Sequence, residues 1–117
     1  MRDTRRGDKT YLNHILECIE DVDSFSAGIL GKLQEFKGPW YSTIRALQIM
    51  AESTTRLSEE TQQKMPAIDW GRVKKFRNVL VHDYLGDIDP EIIRSVILIQ
   101  LPLLKQEIKR VLAEWKD

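Results

Sequence analysis

The sequence predicts an all-α fold: four long helices packed as a roughly antiparallel bundle, with room for one short extra helix. Three observations carry that expectation. Apolar residues recur at three- and four-residue steps in four separate stretches. No stretch alternates apolar and polar residues as a half-buried strand would. Breakers and caps fall between the periodic stretches: Gly28, Gly31 and Gly38-Pro39, then Met65-Pro66, then Gly86 and Asp89-Pro90. Helices with one apolar face must bury it against each other, so a bundle follows.

The first helix is expected from about Lys9 to Ser26, with Asp8 as its N-cap. Leu12, Ile15, Ile19, Val22 and Phe25 make its apolar face, and His14 lies opposite as a solvated residue. His14 and Glu17 stand in the reverse of the Glu-x-x-His order that binds metal in carboxylate-bridged bundles, so they do not argue for a metal site. Gly28 to Gly38 reads as a connector that can hold a short helical turn. Pro39 suits the first turn of a second helix running to about Gln62. Its stripe is Trp40, Ile44, Leu47, Ala51 and Thr54, widened by Ala46, Met50 and Leu57. So wide a stripe suits more than one neighbour, a second subunit included. Glu52 lies beside it, as a rim carboxylate or, second, as a partner for Arg77.

Asp69 caps the third helix, which begins at Trp70. Asp89 caps the last, with Pro90 at its first position and Glu91 behind. Ile92, Ile93, Val96, Ile97, Leu101, Leu104, Ile108, Val111, Leu112 and Trp115 give that helix a long apolar face. Pro102 lies inside it and is expected to kink it, freeing the carbonyl of Leu98.

The 117 residues suit one domain, 1–117, with residues 1–8 as a flexible N-terminal tail. Hydrophobic residues at 42% and charged residues at 31% exclude a disordered chain. Eighteen basic residues balance eighteen acidic ones, so bulk charge recruits neither nucleic acid nor anionic membrane; any such binding needs a local patch. The lone Cys18 permits no internal disulfide and no zinc site, and suits a reducing compartment. Arg2, Arg5, Arg6 and Lys9 precede no apolar signal core. The longest apolar run on the last helix, Val96 to Ile99, falls far short of the roughly 20 residues that span a bilayer. A cytoplasmic protein that does not engage membranes is expected.

The chemistry concentrates in one stretch, Arg77-Asn78-Val79-Leu80-Val81-His82-Asp83-Tyr84. On a helical wheel Trp70, Val73, Leu80, Val81 and Tyr84 share an arc with Arg77 at its middle, while His82 falls near Lys75 and Asn78. A guanidinium within an apolar stripe needs a reason. The ordinary one is a structural arginine paired with a carboxylate. The sharper one is an arginine aimed into a cleft or across a subunit interface. On an unbroken helix Arg77 and His82 point roughly 140° apart. Their meeting is eased if the helix ends or distorts near His82, and further if two copies face each other across a twofold axis. Arg72, Lys74 and Lys75 read first as a solvated face, and second as a phosphate-attracting patch.

The chain has no glycine-rich phosphate loop, no Gly-x-Ser-x-Gly elbow and no Cys/His cluster. Catalysis, if any, falls to Arg77, His82 and their neighbours. RNA carries its own nucleophile, the ribose 2′-hydroxyl. Histidine moves a proton near neutral pH, and arginine offers a planar fork to a phosphate gaining charge. A metal-free ribonuclease can be built from these parts.

Arg77-Asn78-x-x-x-His82-x-Tyr84 follows Asp69-Trp70 and precedes Asp89-Pro90 and Leu101-Pro102. In this setting the chain resembles the HepT-like branch of the HEPN superfamily, from about Tyr11 to Trp115. The resemblance implies a helical homodimer with two motifs meeting in a cleft. It implies a metal-independent endoribonuclease acting as the toxin of a toxin–antitoxin pair, with Arg77 and His82 catalytic and Asn78 supporting. It also implies an MNT-type nucleotidyltransferase antitoxin as partner. That partner uses ATP to transfer AMP onto Tyr84, and the chain itself needs no cofactor. Two other readings stand beside this one: a non-catalytic module that binds a nucleotide or a partner, and a dimerisation bundle in which Arg77 sits in a buried ion pair.

Overall fold

The computed structural model describes residues 5–82 and 88–116. Tyr84, Gly86 and the first four residues of the expected tail lie outside the described residues. Every described element is helical. In order they are α1 (Arg5–Ser26), a 3₁₀ turn (Leu30–Glu35), α2 (Lys37–Thr55), α3 (Glu59–Gln63), α4 (Trp70–His82), α5 (Pro90–Ser95), a π turn (Val96–Gln100) and α6 (Leu101–Ala113).

Long-range hydrogen bonds define the topology. Asp8 near the start of α1 bonds Ser58 just beyond the end of α2, so these two helices run antiparallel. Gln48 and Glu52 of α2 bond Leu80 and Arg77 of α4 in reversed order, so α2 and α4 are antiparallel too. Arg94 of α5 bonds Gly31 and Gln34 in the 3₁₀ turn, and Arg110 of α6 bonds Lys64 after α3. The α5–α6 path therefore rises alongside α2 and against α1. This is the up-and-down bundle expected from the periodicity.

The core follows the expected stripes. Leu12, Ile15, Ile19 and Val22 of α1 meet the whole predicted face of α2, from Trp40 to Thr54. Ile93, Ile97, Leu101, Leu104, Ile108 and Val111 close the other side. Ile92 and Phe25 depart from expectation, the first 44% exposed on α5 and the second 38% exposed where α1 runs out. Gly28, at φ 77°, then turns the chain in a conformation that favours glycine. Among the described residues no helix is long and apolar enough to cross a membrane.

Three local expectations are corrected. Residues 5–8 belong to α1 rather than to a tail, and Asp8 is not its N-cap. Its buried carboxylate accepts from the Ser58 amide at 2.9 Å and from the Ser58 and Thr61 hydroxyls at 2.5 Å each. Burying a charge requires such donors, and they come from a segment fifty residues away. The second helix stops at Thr55 instead of continuing to Gln62. Ser58 starts α3 afresh, its hydroxyl capping the Thr61 amide at 3.2 Å. The third concerns Pro102. The last helix, expected as one element, is divided there: a π turn precedes the proline, in which the Leu101 amide reaches back to the Val96 carbonyl. Proline lacks an N–H and crowds the carbonyl four residues back, and a π turn absorbs such a break in the ladder.

Candidate active site

Helix α4 is fixed at both ends before any chemistry is considered. Asp69 caps it, accepting the Arg72 amide at 3.1 Å. The Trp70 indole N–H donates to the Gln62 carbonyl at 3.1 Å, tying the start of α4 to α3. Near the other end, Gln48 Nε2 donates to the Leu80 carbonyl at 3.1 Å. The last carbonyls of a helix lack partners within it, so this bond from α2 satisfies one of them. Leu80 is buried, and Trp70, Val73 and Phe76 are half-buried against the core.

Arg77 leaves α4 on the side facing α2. Its Nε and one terminal nitrogen donate to the same oxygen of Glu52, Oε2, at 3.2 and 3.1 Å. The side chains of Arg77 and Glu52 are 35% and 46% exposed. The pair is therefore not the buried ion pair of the purely structural reading. Arg56, one turn further along α2, brings its guanidinium to 4.0 Å from the other oxygen of Glu52. Two guanidiniums thus share one carboxylate. Ile49 is exposed one turn before Glu52 on α2, and Val81 is exposed one turn beyond Arg77 on α4, so an exposed apolar side chain stands one turn from each member of the pair.

His82 is the last residue of α4 and is exposed, as is Asn78 one turn before it. Arg72 and Lys75 continue the same line at three-residue steps, and both are exposed. Lys74 is exposed beside them. The structure thus groups Arg72, Lys75, Asn78 and His82 along one solvent face, with Arg77 on another. Among the described residues helix α4 stays α-helical up to His82, its last residue, and no distortion there draws the two candidate catalytic groups together. At roughly 100° per residue they leave the helix about 140° apart. Tyr84 lies outside the described residues.

A concave surface elsewhere, lined by Lys64, Arg110, Val111, Glu114, Trp115 and Lys116, lies by the end of α3 and does not include the motif. Among the described residues no three of His, Cys, Asp and Glu cluster as a metal site would require. Sequence reasoning gave Glu52 only second place as the arginine's partner, and missed Gln48 and Arg56. A signal was present. Gln48, Glu52 and Arg56 recur at four-residue steps beside the apolar stripe, a polar line set to meet a neighbouring helix.

The family model described as "Ribonuclease HepT-like" matches residues 15–111. The chain is similar to "Putative RNase MJ1380" of Methanocaldococcus jannaschii, with 32% identity over 111 residues, covering 92% of this chain and 99% of the relative. It is also similar to "Probable ribonuclease HepT" of Thermococcus cleftensis, with 27% identity over 110 residues, covering 92% and 97%. No solved structure matches it. With a model spanning most of its length and full-length relatives of that name, the chain belongs to the HepT-like ribonuclease family.

Proposed function

We propose that this chain is a metal-independent endoribonuclease, the toxin of a toxin–antitoxin pair, working as a homodimer with Arg77 and His82 as its catalytic residues. The observation that carries this reading is the state of Arg77. On a chain of a ribonuclease family, its guanidinium is held by one edge, half exposed, on the helix that ends at His82.

In the proposed reaction the ribose 2′-hydroxyl attacks the adjacent phosphorus while a histidine takes its proton. The bond to the 5′-oxygen breaks, and a second histidine returns a proton to that oxygen. The products are a 2′,3′-cyclic phosphate and a 5′-hydroxyl end, so protons and charge balance. Arg77 donates to the phosphate oxygens as charge builds on them, and Asn78 supports the pair. A twofold arrangement brings the Arg77 face of one copy to the His82 of the other and supplies both histidines. The exposed apolar residues Ile49 and Val81, one turn from Glu52 and Arg77 respectively, suit surface that a second copy covers. Arg72, Lys74 and Lys75 would then contact flanking phosphates, giving the local patch that a neutral chain needs.

Silencing is proposed through Tyr84. An MNT-type nucleotidyltransferase partner would join the AMP of ATP to the phenolic oxygen, with pyrophosphate leaving. A bulky anion two residues from His82 would occupy the arginine's fork and exclude RNA.

The test is cleavage of single-stranded RNA by purified protein in EDTA. Arg77→Ala and His82→Ala should each lower the rate by about 100- to 10,000-fold with helical content intact. Cleavage that disappears in EDTA and returns with a divalent metal would sink the metal-independent reading. Equal growth of cells expressing wild type and His82→Ala would favour the binding module. Intact mass should rise by AMP units with partner and ATP, and not in Tyr84→Phe.

A further inference from the structure

We infer that Glu52 is a positioning residue for Arg77, gripping one edge of the guanidinium so that its outer edge faces the scissile phosphate. The inference rests on the nuclease reading above. A guanidinium carries five N–H donors in a rigid plane. Glu52 Oε2 takes the Nε–H and one N–H of the neighbouring nitrogen, at 3.2 and 3.1 Å. The outer edge, formed by the two terminal nitrogens, keeps two parallel N–H groups, with no hydrogen-bond partner among the described residues. That edge has the geometry for two oxygens of one phosphate.

The frame beneath the grip is stiff. One turn toward the end of α4, Gln48 Nε2 donates to the Leu80 carbonyl at 3.1 Å, so Glu52 and Arg77 are held by helices already tied together. A carboxylate beside an RNA site would ordinarily repel the substrate. Here Arg56 stands 4.0 Å from the second oxygen of Glu52, so two guanidiniums surround one carboxylate and the cluster stays positive. With both partners more than a third exposed, the pair contributes little to folding. Its larger consequence is orientation. An arginine on a flexible stem is fixed before RNA arrives.

The experiment is single-turnover cleavage of a labelled single-stranded RNA by the full chain in EDTA, with Glu52→Ala, Glu52→Gln and Arg77→Ala. Glu52→Ala should lower the maximal rate about ten- to a hundredfold while KM moves less than about threefold, the mark of lost alignment rather than lost affinity. Glu52→Gln keeps an oxygen that accepts both hydrogen bonds, and should restore the rate to within about threefold of wild type. The Arg77 Nε–H resonance, assigned by its loss in Arg77→Ala, should broaden in Glu52→Ala and persist in Glu52→Gln. Glu52→Ala cleaving as fast as wild type, or faster with a lower KM, overturns the inference: Glu52 would then be a competitor of the phosphate. If that result comes with an inactive Arg77→Ala, the nuclease reading stands and only this inference falls. An inactive wild type, or a fully active Arg77→Ala, sinks both.

Discussion

Asp8 and Glu52 are both carboxylates that reach from one helix to another element, yet they serve opposite ends. Asp8 is buried, and three donors from Ser58 and Thr61 fill its oxygens. Glu52 is half exposed, and its partners are charged arginines that keep further N–H groups toward solvent. A buried anion answered by neutral donors is a fastening, because losing it strands those donors away from water. A half-exposed anion answered by cations contributes little stability, because water competes for both charges. What it retains is control over direction. The contrast teaches that the chain closes its bundle at one place and leaves charge available at another.

The largest test of this contrast is Asp8→Ala. It should cost about 4 kcal/mol in urea unfolding, near the low end for three hydrogen bonds to a charged acceptor. RNA cleavage per folded molecule should be unchanged. A cost as small as that of a surface substitution would erase the distinction between the two carboxylates. Ser58→Ala comes next, at about 1 kcal/mol, since it removes both a cap for α3 and a donor to Asp8. Arg77→Ala should follow at less than about 1 kcal/mol, although it also removes two hydrogen bonds to a carboxylate. If it unfolded the protein, the pair would be a structural fastening after all.

The smallest effect sharpens the buried side of the comparison. Cys18 on α1 is an acidic group that the core takes in; burial pushes its thiol up, and Asp21 and Glu17 push it further. The unfolded chain then loses the thiol proton first. Stability is fully present below the unfolded value and declines as pH rises past about 8.5 toward the raised folded value. Cys18→Ala should flatten that alkaline decline in pH-dependent unfolding; an unchanged slope would place its origin elsewhere.

Much of the bundle was legible because burial leaves a periodic trace. Every residue of the predicted α2 stripe, from Trp40 to Leu57, is buried. The Asp69 and Asp89 caps act where local rules place them, the latter accepting the Glu91 amide at 2.9 Å. Asp8 defeated the same reasoning. An acidic residue ahead of an apolar stripe looks the same whether it caps its own helix or fastens a distant one. The break after Thr55 was also hidden, since the apolar pattern runs through it to Leu57 and only Ser58 marks the restart.

The sequence by itself determined the helical class, the stripes that become core, the caps of α4 and α5, and a short motif placing arginine, asparagine, histidine and tyrosine within eight residues. These are local matters, governed by periodicity and by what each residue does to its own backbone. Only the tertiary structure decided which carboxylate takes which donors: Asp8 with Ser58 and Thr61, and Glu52 with Arg77 and Arg56. Those partners lie on different elements, apart from the Glu52–Arg56 step along α2. The alignment of packed helices, which no local pattern encodes, brings them within hydrogen-bond reach.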